Sequence, residues 1–301
     1  MFFESVKVPN DTILNNGIIS LKIKREDAIH PLVSGNKYRK LKYNILEAQE
    51  SGKSSLLTFG GAYSNHIAAV AMAGKKFGFK TIGVIRGEEI STKAKDNPTL
   101  DFAQQNGMQF HFVSREDYRN KYDLEFMNRL GERFGDFYLI PEGGTNSLAV
   151  KGCEEIVTKT DKAFDYICCP VGTGGTISGI INASFENQKI LGFPALKGDF
   201  LKKDISKFAN KSNWNLITDY HFGGYAKINE ALISFINDFK MEYDIQLDPI
   251  YTGKMLFGIM DLIEKEFFEK GSKILAIHTG GLQGISGMNQ YLERKKMPLL
   301  K

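Results

Sequence analysis

A chain of 301 residues, 42% hydrophobic and 25% charged, is long enough to bury a sizeable core and sits where one core tends to divide into two domains. The net charge of +4 is scattered, with Lys and Arg interleaved among Asp and Glu, which excludes a basic arm that tracks nucleic acid. No run approaches the roughly 20 apolar residues of a membrane span, and Met1-Phe-Phe-Glu-Ser-Val6 lacks the cationic-then-apolar order of an export signal, so no membrane partner is expected and the cytoplasm is the expected address.

In chain order, short apolar runs alternate with segments of helical period. Leu56 to Phe59 reads as a strand, Asn65 to Phe77 as a helix, Thr81 to Arg86 and Gln109 to Val113 as strands, and Leu124 to Phe134 as a helix. Phe137 to Ile140 is a strand pattern, Leu148 to Thr158 helical, and Tyr166 to Val171 and Ile190 to Leu196 are strands. Ile228 to Phe239 is helical, and Lys273 to His278 is the last strand. Alternation of this kind predicts an α/β protein of mostly parallel sheets covered by helices, and the placement of the chemical motifs favours two three-layer domains with the site between them. The smaller domain is expected as an insertion over 42–137, and the larger one is expected to use 1–41 and 138–301.

Cys153, Cys168 and Cys169 are odd in number, and two are adjacent in an apolar strand, so they read as small core residues rather than a disulfide framework. The five histidines show no paired spacing and the adjacent cysteines have no matching pair, so no metal centre is expected.

Two glycine-rich turns fall at expected strand ends, where open α/β sheets bind ligands. Gly172-Thr-Gly-Gly-Thr176 reads as a phosphate cradle: its glycines let backbone N–H groups approach an anion, and Thr173 and Thr176 add hydroxyls. A tight strand-to-helix turn is the simpler reading, but four glycines between Gly172 and Gly179 exceed what a turn requires. A dinucleotide fingerprint would need an acidic residue ending the next strand, where Pro194-Ala-Leu-Lys197 stands instead. Gly60-Gly-Ala-Tyr-Ser-Asn-His66 places Ser64, Asn65 and His66 at a helix start, a carboxylate clamp assisted by helix N–H groups. Gly52-Lys-Ser54 has Glu47 where a nucleotide P-loop needs glycine, and it reads as a helix end. Lys37 sits at a loop-helix junction in Ser34-Gly-Asn-Lys-Tyr-Arg-Lys-Leu41, with Arg39 and Lys40 as nearby cations of the kind that lower an amine's pKa for Schiff-base chemistry.

These blocks resemble a known family. Lys24-Arg-Glu-Asp27, His30-Pro31, the Lys37 block, the Ser64 block, Asp248-Pro-Ile-Tyr-Thr-Gly-Lys254 and His278-Thr-Gly-Gly281 occur in the order found in the 1-aminocyclopropane-1-carboxylate (ACC) deaminase and D-cysteine desulfhydrase family. The resemblance implies a pyridoxal-phosphate enzyme of the tryptophan synthase β-like fold and a homodimer. It implies that Lys37 forms the Schiff base with the cofactor, that Lys40 and Gly172, Thr173, Gly174, Gly175 and Thr176 hold its phosphate, and that Asn65 bonds its phenolic oxygen. Ser64 and His66, beside Asn65, are implied to bind the carboxylate of a small amino-acid substrate, with Tyr251 and Tyr225 near the reacting carbons.

Deaminases of the family carry an acidic residue directly after that first tyrosine and a leucine after the late histidine; here Thr252 and Thr279 stand there. Neutral hydroxyls beside the cofactor's ring nitrogen leave a weaker electron sink, suited to a substrate with an acidic α-hydrogen and a good leaving group. The expected reaction is therefore α,β-elimination of D-cysteine, or a related β-substituted D-amino acid, to pyruvate, ammonia and sulfide. The alternatives are ring opening of ACC to 2-oxobutanoate and ammonia, a β-replacement synthase or racemase, and a homologue that binds the cofactor without catalysis.

Overall fold

The computed structural model describes all residues except 1, 2, 4, 5, 32 and 199, and most of the amino-terminal stretch read above for export lies outside the described residues. Among the described residues, ten strands form two sheets. They are β1 (Asn10–Asn15), β2 (Ser20–Lys24), β3 (Ser55–Gly60), β4 (Lys80–Arg86), β5 (Met108–Val113), β6 (Tyr138–Ile140), β7 (Tyr166–Val171), β8 (Lys189–Pro194), β9 (Trp214–Leu216) and β10 (Lys273–Ile277). One sheet has the order β1-β2-β10-β7-β8-β9, and the other β5-β4-β3-β6. Every pairing is parallel except the β1–β2 hairpin.

Every residue of β3 and β7 is buried, as befits a parallel strand covered on both faces. Helices supply the cover: α1 (Asn36–Glu50), α2 (Asn65–Phe77), α3 (Pro98–Gln105), α4 (Arg115–Arg119), α5 (Leu124–Phe134), α6 (Ser147–Glu154), α7 (Gly175–Ala183), α8 (Phe200–Ser206), α9 (Glu230–Tyr243), α10 (Thr252–Glu264) and α11 (Gly284–Arg294). Side-chain alternation divides the apolar core of each sheet in two. In β7, Cys168 joins the cluster with Leu256 and Ile259 of α10, while Cys169 joins the cluster with Ile177 and Ile180 of α7. The two adjacent thiols thus face opposite sides, and both are buried and unbridged.

The seven expected strands and the four expected helices agree with the structure in place and type, while β1, β2 and β9 are additional. Strand β6 pairs with β3 through Leu56–Tyr138 and Thr58–Ile140 and completes the four-stranded sheet.

Helix α6 fixes how α1 and α7 sit. A Cβ on Gly152 would fall 2.0 Å from the Arg39 carbonyl oxygen of α1, and one on Gly179 of α7 would fall 2.6 Å from the Val150 carbonyl oxygen. The Cys153 Cβ lies equally close to Gly179, so the three helices approach as near as glycine allows and form one slab. Its charges are also paired: Arg39 forks onto buried Glu26 at 2.9 and 3.0 Å, and Lys24 bonds Asp161 beneath α6.

Candidate active site

Strands β3 and β7 both end in glycine turns that open onto the same cleft between the sheets. An inner cavity of about 90 Å³ brings together Lys37, Lys40, Ser64, Asn65, His66, Gly172, Thr173, Gly174, Thr176, Tyr225, Tyr251 and Thr279. Gly175 lies just behind this lining as the first residue of α7, and Thr252 is fully buried outside it.

The turn after β7 is built for an anion. Gly174, at φ 83°, precedes α7, and no side chain caps that helix, so its first N–H groups are left for a ligand. A Cβ on Gly175 would fall 2.8 Å from Thr145 Oγ1 and 3.3 Å from Lys40 Nζ, which closes the cradle to any larger residue. Lys40 Nζ donates to the Gly143 carbonyl at 2.9 Å and to Thr145 Oγ1 at 3.0 Å, and lies 3.4 Å from Thr173 Oγ1. Burial lowers its pKa. Thr145 was not expected at the site; its sequence signal is the third strand-end glycine pair, Gly143-Gly144, which follows β6. Asn36 is a second addition: its Nδ2 donates to Thr176 Oγ1 at 2.8 Å, and its Oδ1 accepts from Lys37 Nζ at 3.0 Å.

Lys37 lies in the first turn of α1, one turn before Lys40, so the two ammonium groups share one face and one cavity. Burial first, and the Lys40 charge second, bring Lys37 down to about 7. An amine poised there is available both as a nucleophile and as a proton carrier near neutrality.

Ser64 is the N-cap of α2, with its Oγ accepting from Ile67 N at a long 3.4 Å, which leaves its hydroxyl proton for a ligand. The buried Asn65 Oδ1 and His66 Nδ1 have no partner among the described residues. The tautomer of His66 follows from its neighbour. Thr58 Oγ1 donates to the Ile140 carbonyl at 2.8 Å, so its single proton is committed, and His66 Nε2, 2.9 Å away, must donate to Thr58. Burial, together with Lys37 and Lys40, holds His66 well below its usual range. The ring is therefore neutral and presents Nδ1 as an acceptor. A carboxylate in this corner would take its hydrogen bonds from Ser64 and the first N–H groups of α2.

Tyr251 and Tyr225 stack edge to face with ring centroids 6.3 Å apart. Burial, then the Tyr225 phenol and Asp248, keep Tyr251 well above the normal phenol range, so it holds its proton. Behind them, Asp248 accepts from the N–H groups of Ile250, Tyr251 and Thr252 at 2.8–2.9 Å and from Thr252 Oγ1 at 2.7 Å. The Thr252 hydroxyl is thus spent on Asp248. His278 bonds the Gln246 carbonyl through Nε2 at 2.7 Å and accepts from Gly280 N at 3.2 Å, which fixes the turn presenting Thr279.

The family model described as pyridoxal-phosphate dependent enzyme matches residues 14–280. A Pyrococcus horikoshii protein, provisionally named 1-aminocyclopropane-1-carboxylate deaminase, is 34% identical over 87% of this chain and 84% of its own. The mitochondrial bifunctional D-cysteine desulfhydrase/1-aminocyclopropane-1-carboxylate deaminase of Arabidopsis thaliana is 30% identical over 90% of this chain and 74% of its own. A crystal structure described as an ACC deaminase homologue superposes with a TM-score of 0.83 at 28% identity, covering 96% of this chain and 94% of that one. An uncapped helix N-terminus beside the buried Lys40, with Lys37 brought to about 7, suits an aldehyde that also carries a phosphate. Sequence, fold and cavity agree: the chain belongs to the pyridoxal-phosphate dependent enzymes, in the family of the ACC deaminases and D-cysteine desulfhydrases.

Proposed function

We propose that the protein eliminates the β-substituent of D-cysteine or a related β-substituted D-amino acid. The observation that carries this is the absence of any Asp or Glu from the inner cavity's lining among the described residues, with the Thr252 hydroxyl turned away onto Asp248. Bound pyridoxal phosphate supplies the electron sink for the α-carbon, and without a carboxylate at its ring nitrogen that sink is weak. Such a site favours substrates that bring their own acidic proton and leaving group.

In this reading Lys37 would hold the cofactor's carbonyl carbon, while Lys40, Thr173, Thr176 and the N-terminal amides of α7 would hold its phosphate. Asn65 would bond its phenolic oxygen, with Thr279 beside the ring. Ser64 and the first amides of α2 bind the substrate carboxylate. Lys37 Nζ, at about 7, would be the base that takes the substrate's α-proton. The carbon–sulfur bond then breaks with its electron pair leaving on sulfur, Tyr251 and Tyr225 lying beside the reacting carbons. Water hydrolyses the resulting enamine to pyruvate and ammonia.

The test is pyruvate and sulfide release from D-cysteine beside 2-oxobutanoate release from ACC, with the same cofactor-loaded protein. Turnover of D-cysteine supports the proposal. Turnover of ACC alone overturns it in favour of ring opening. Lys37→Ala separates an enzyme, which would lose turnover, from a non-catalytic binder, which would lose only its visible absorbance.

A further inference from the structure

The inner cavity opens into an outer one of about 690 Å³, far more space than D-cysteine needs and within the range of roughly 300–1,000 Å³ that accommodates larger ligands. Ser64, Tyr225 and Tyr251 line both cavities, so the outer space begins where the substrate's side chain would emerge.

Its lining is cationic. Arg86, Lys227 and Arg294 face it from three separate elements: the carboxyl end of β4, the segment after Tyr225, and the last turn of α11. None of the three meets a carboxylate within ion-pair distance among the described residues. Arg86 is oriented all the same: its guanidinium sits 5.6 Å above the Tyr118 ring and reaches toward Gly61, where a Cβ would fall 3.6 Å from Nη2. Arg294 spends only its Nε, on the Gln290 carbonyl at 3.1 Å, which leaves its terminal nitrogens. The one acidic residue in the lining, Glu142, is already taken: it accepts from the Tyr118 hydroxyl at 2.8 Å and pairs with Lys121 at 3.2 Å. The mouth therefore carries unpaired positive charge from three directions around a space that a small amino acid leaves empty.

We infer that the preferred substrate is a β-substituted amino acid whose leaving group carries its own anionic group, which binds among Arg86, Lys227 and Arg294. This rests on the eliminase reading and extends it from the bond broken to the group that departs. For a thioether substrate the carbon–sulfur bond breaks, the electron pair leaves on a thiolate that retains the anionic tail, and water converts the remainder to pyruvate and ammonia.

The decisive comparison uses S-carboxymethyl-D-cysteine and its amide, S-carbamoylmethyl-D-cysteine, which have nearly the same shape and differ by one charge. Release of mercaptoacetate or its amide is measured with the cofactor-loaded protein, beside D-cysteine, and binding of both compounds is measured by calorimetry. A kcat/KM for the acid on the order of tenfold above the amide is expected, carried mainly by KM, together with tighter binding. In the double variant Arg86→Gln, Arg294→Gln the acid-to-amide ratio should fall toward one. Equal ratios in wild type, or turnover of D-cysteine with neither thioether used or bound, would overturn the inference and leave the eliminase reading standing. Failure of all three substrates would overturn the eliminase reading, and calorimetry would then decide the anion site on its own: binding of the acid over the amide, lost in the double variant, supports it, and equal or no binding overturns it.

Discussion

Lys254 reaches back from the first turn of α10 to hold two carbonyls of one loop, those of His221 at 2.9 Å and Gly224 at 2.8 Å. Between and beyond them, Phe222, Gly223, Gly224 and Ala226 all have positive φ, so the segment presenting Tyr225 is held in backbone that non-glycine residues rarely adopt. Lys254→Met leaves both carbonyls without their donor, at a cost of about 1–3 kcal/mol each if they stay dry. The expected outcome is a lower melting temperature together with a kcat reduced about tenfold or more through misplacement of Tyr225. Lys254→Arg should recover melting more fully than kcat. Unchanged kcat in the Met variant would disconnect the clip from catalysis.

Lys37 imprints its environment on the pH dependence of the cofactor-free protein. Its folded-state pKa is about 7 against an ordinary 10.5, so between those values the unfolded chain binds more protons and stability rises with pH. Below about 7 both states are protonated and the penalty is at its full value. Lys37→Met should therefore raise stability by up to a few kcal/mol at or below pH 7 and progressively less toward pH 10. Parallel stability curves for the two proteins would show that the amine is not in a dry, cationic setting.

His66 should remain neutral on acidification. Nitrogen-15 spectra of the side chain are expected to show the Nε2–H tautomer down to pH values well below 6.5, because burial and the neighbouring lysines oppose its charge. Since the unfolded chain protonates its histidine near 6.5, the folded protein loses stability as pH falls below that value. Thr58→Val removes the acceptor for Nε2–H and should redistribute the tautomers. A His66 signal that titrates near 6.5 would contradict the geometry.

Gly175→Ala tests the cradle without altering any charge. The added methyl group meets Thr145 Oγ1 at 2.8 Å and crowds Lys40 Nζ at 3.3 Å. Alanine suits a helix start, so the fold should persist while cofactor affinity falls by about tenfold or more. Visible absorbance titrated with pyridoxal phosphate measures it, and unaltered affinity would place the phosphate elsewhere.

The residues legible in the sequence were those whose chemistry is local. Glycines at strand ends announce the two turns, and the buried apolar runs of β3 and β7 announce parallel sheets. The hairpin β1–β2 leaves no such signal because Asn10-Asp-Thr-Ile-Leu-Asn15 is polar and half-exposed at a sheet edge, where no continuous apolar run forms. Strand β9 is only Trp214–Leu216, too short to show a period. Thr145 and Asn36 belong to the site through contacts more than a hundred residues away in sequence, at Lys40 and Thr176, and no spacing rule reports those. The role of Thr252 was legible as an identity but not as an orientation, since its hydroxyl turns to Asp248 only once α10 has formed.

Helix α6 contributes no residue to the inner cavity, yet it stands between the helix bearing both lysines and the helix bearing the phosphate turn, touching each through backbone at Gly152 and Gly179. It acts as a gauge block: α1 and α7 each close onto it as far as Gly152 and Gly179 allow, and that fixes how the helix bearing the amines meets the helix bearing the phosphate turn. Variation on α6 would thus be transmitted to the chemistry as a change of length, whereas the outer mouth, lined by side chains from independent segments, can change its preference while that length stays fixed.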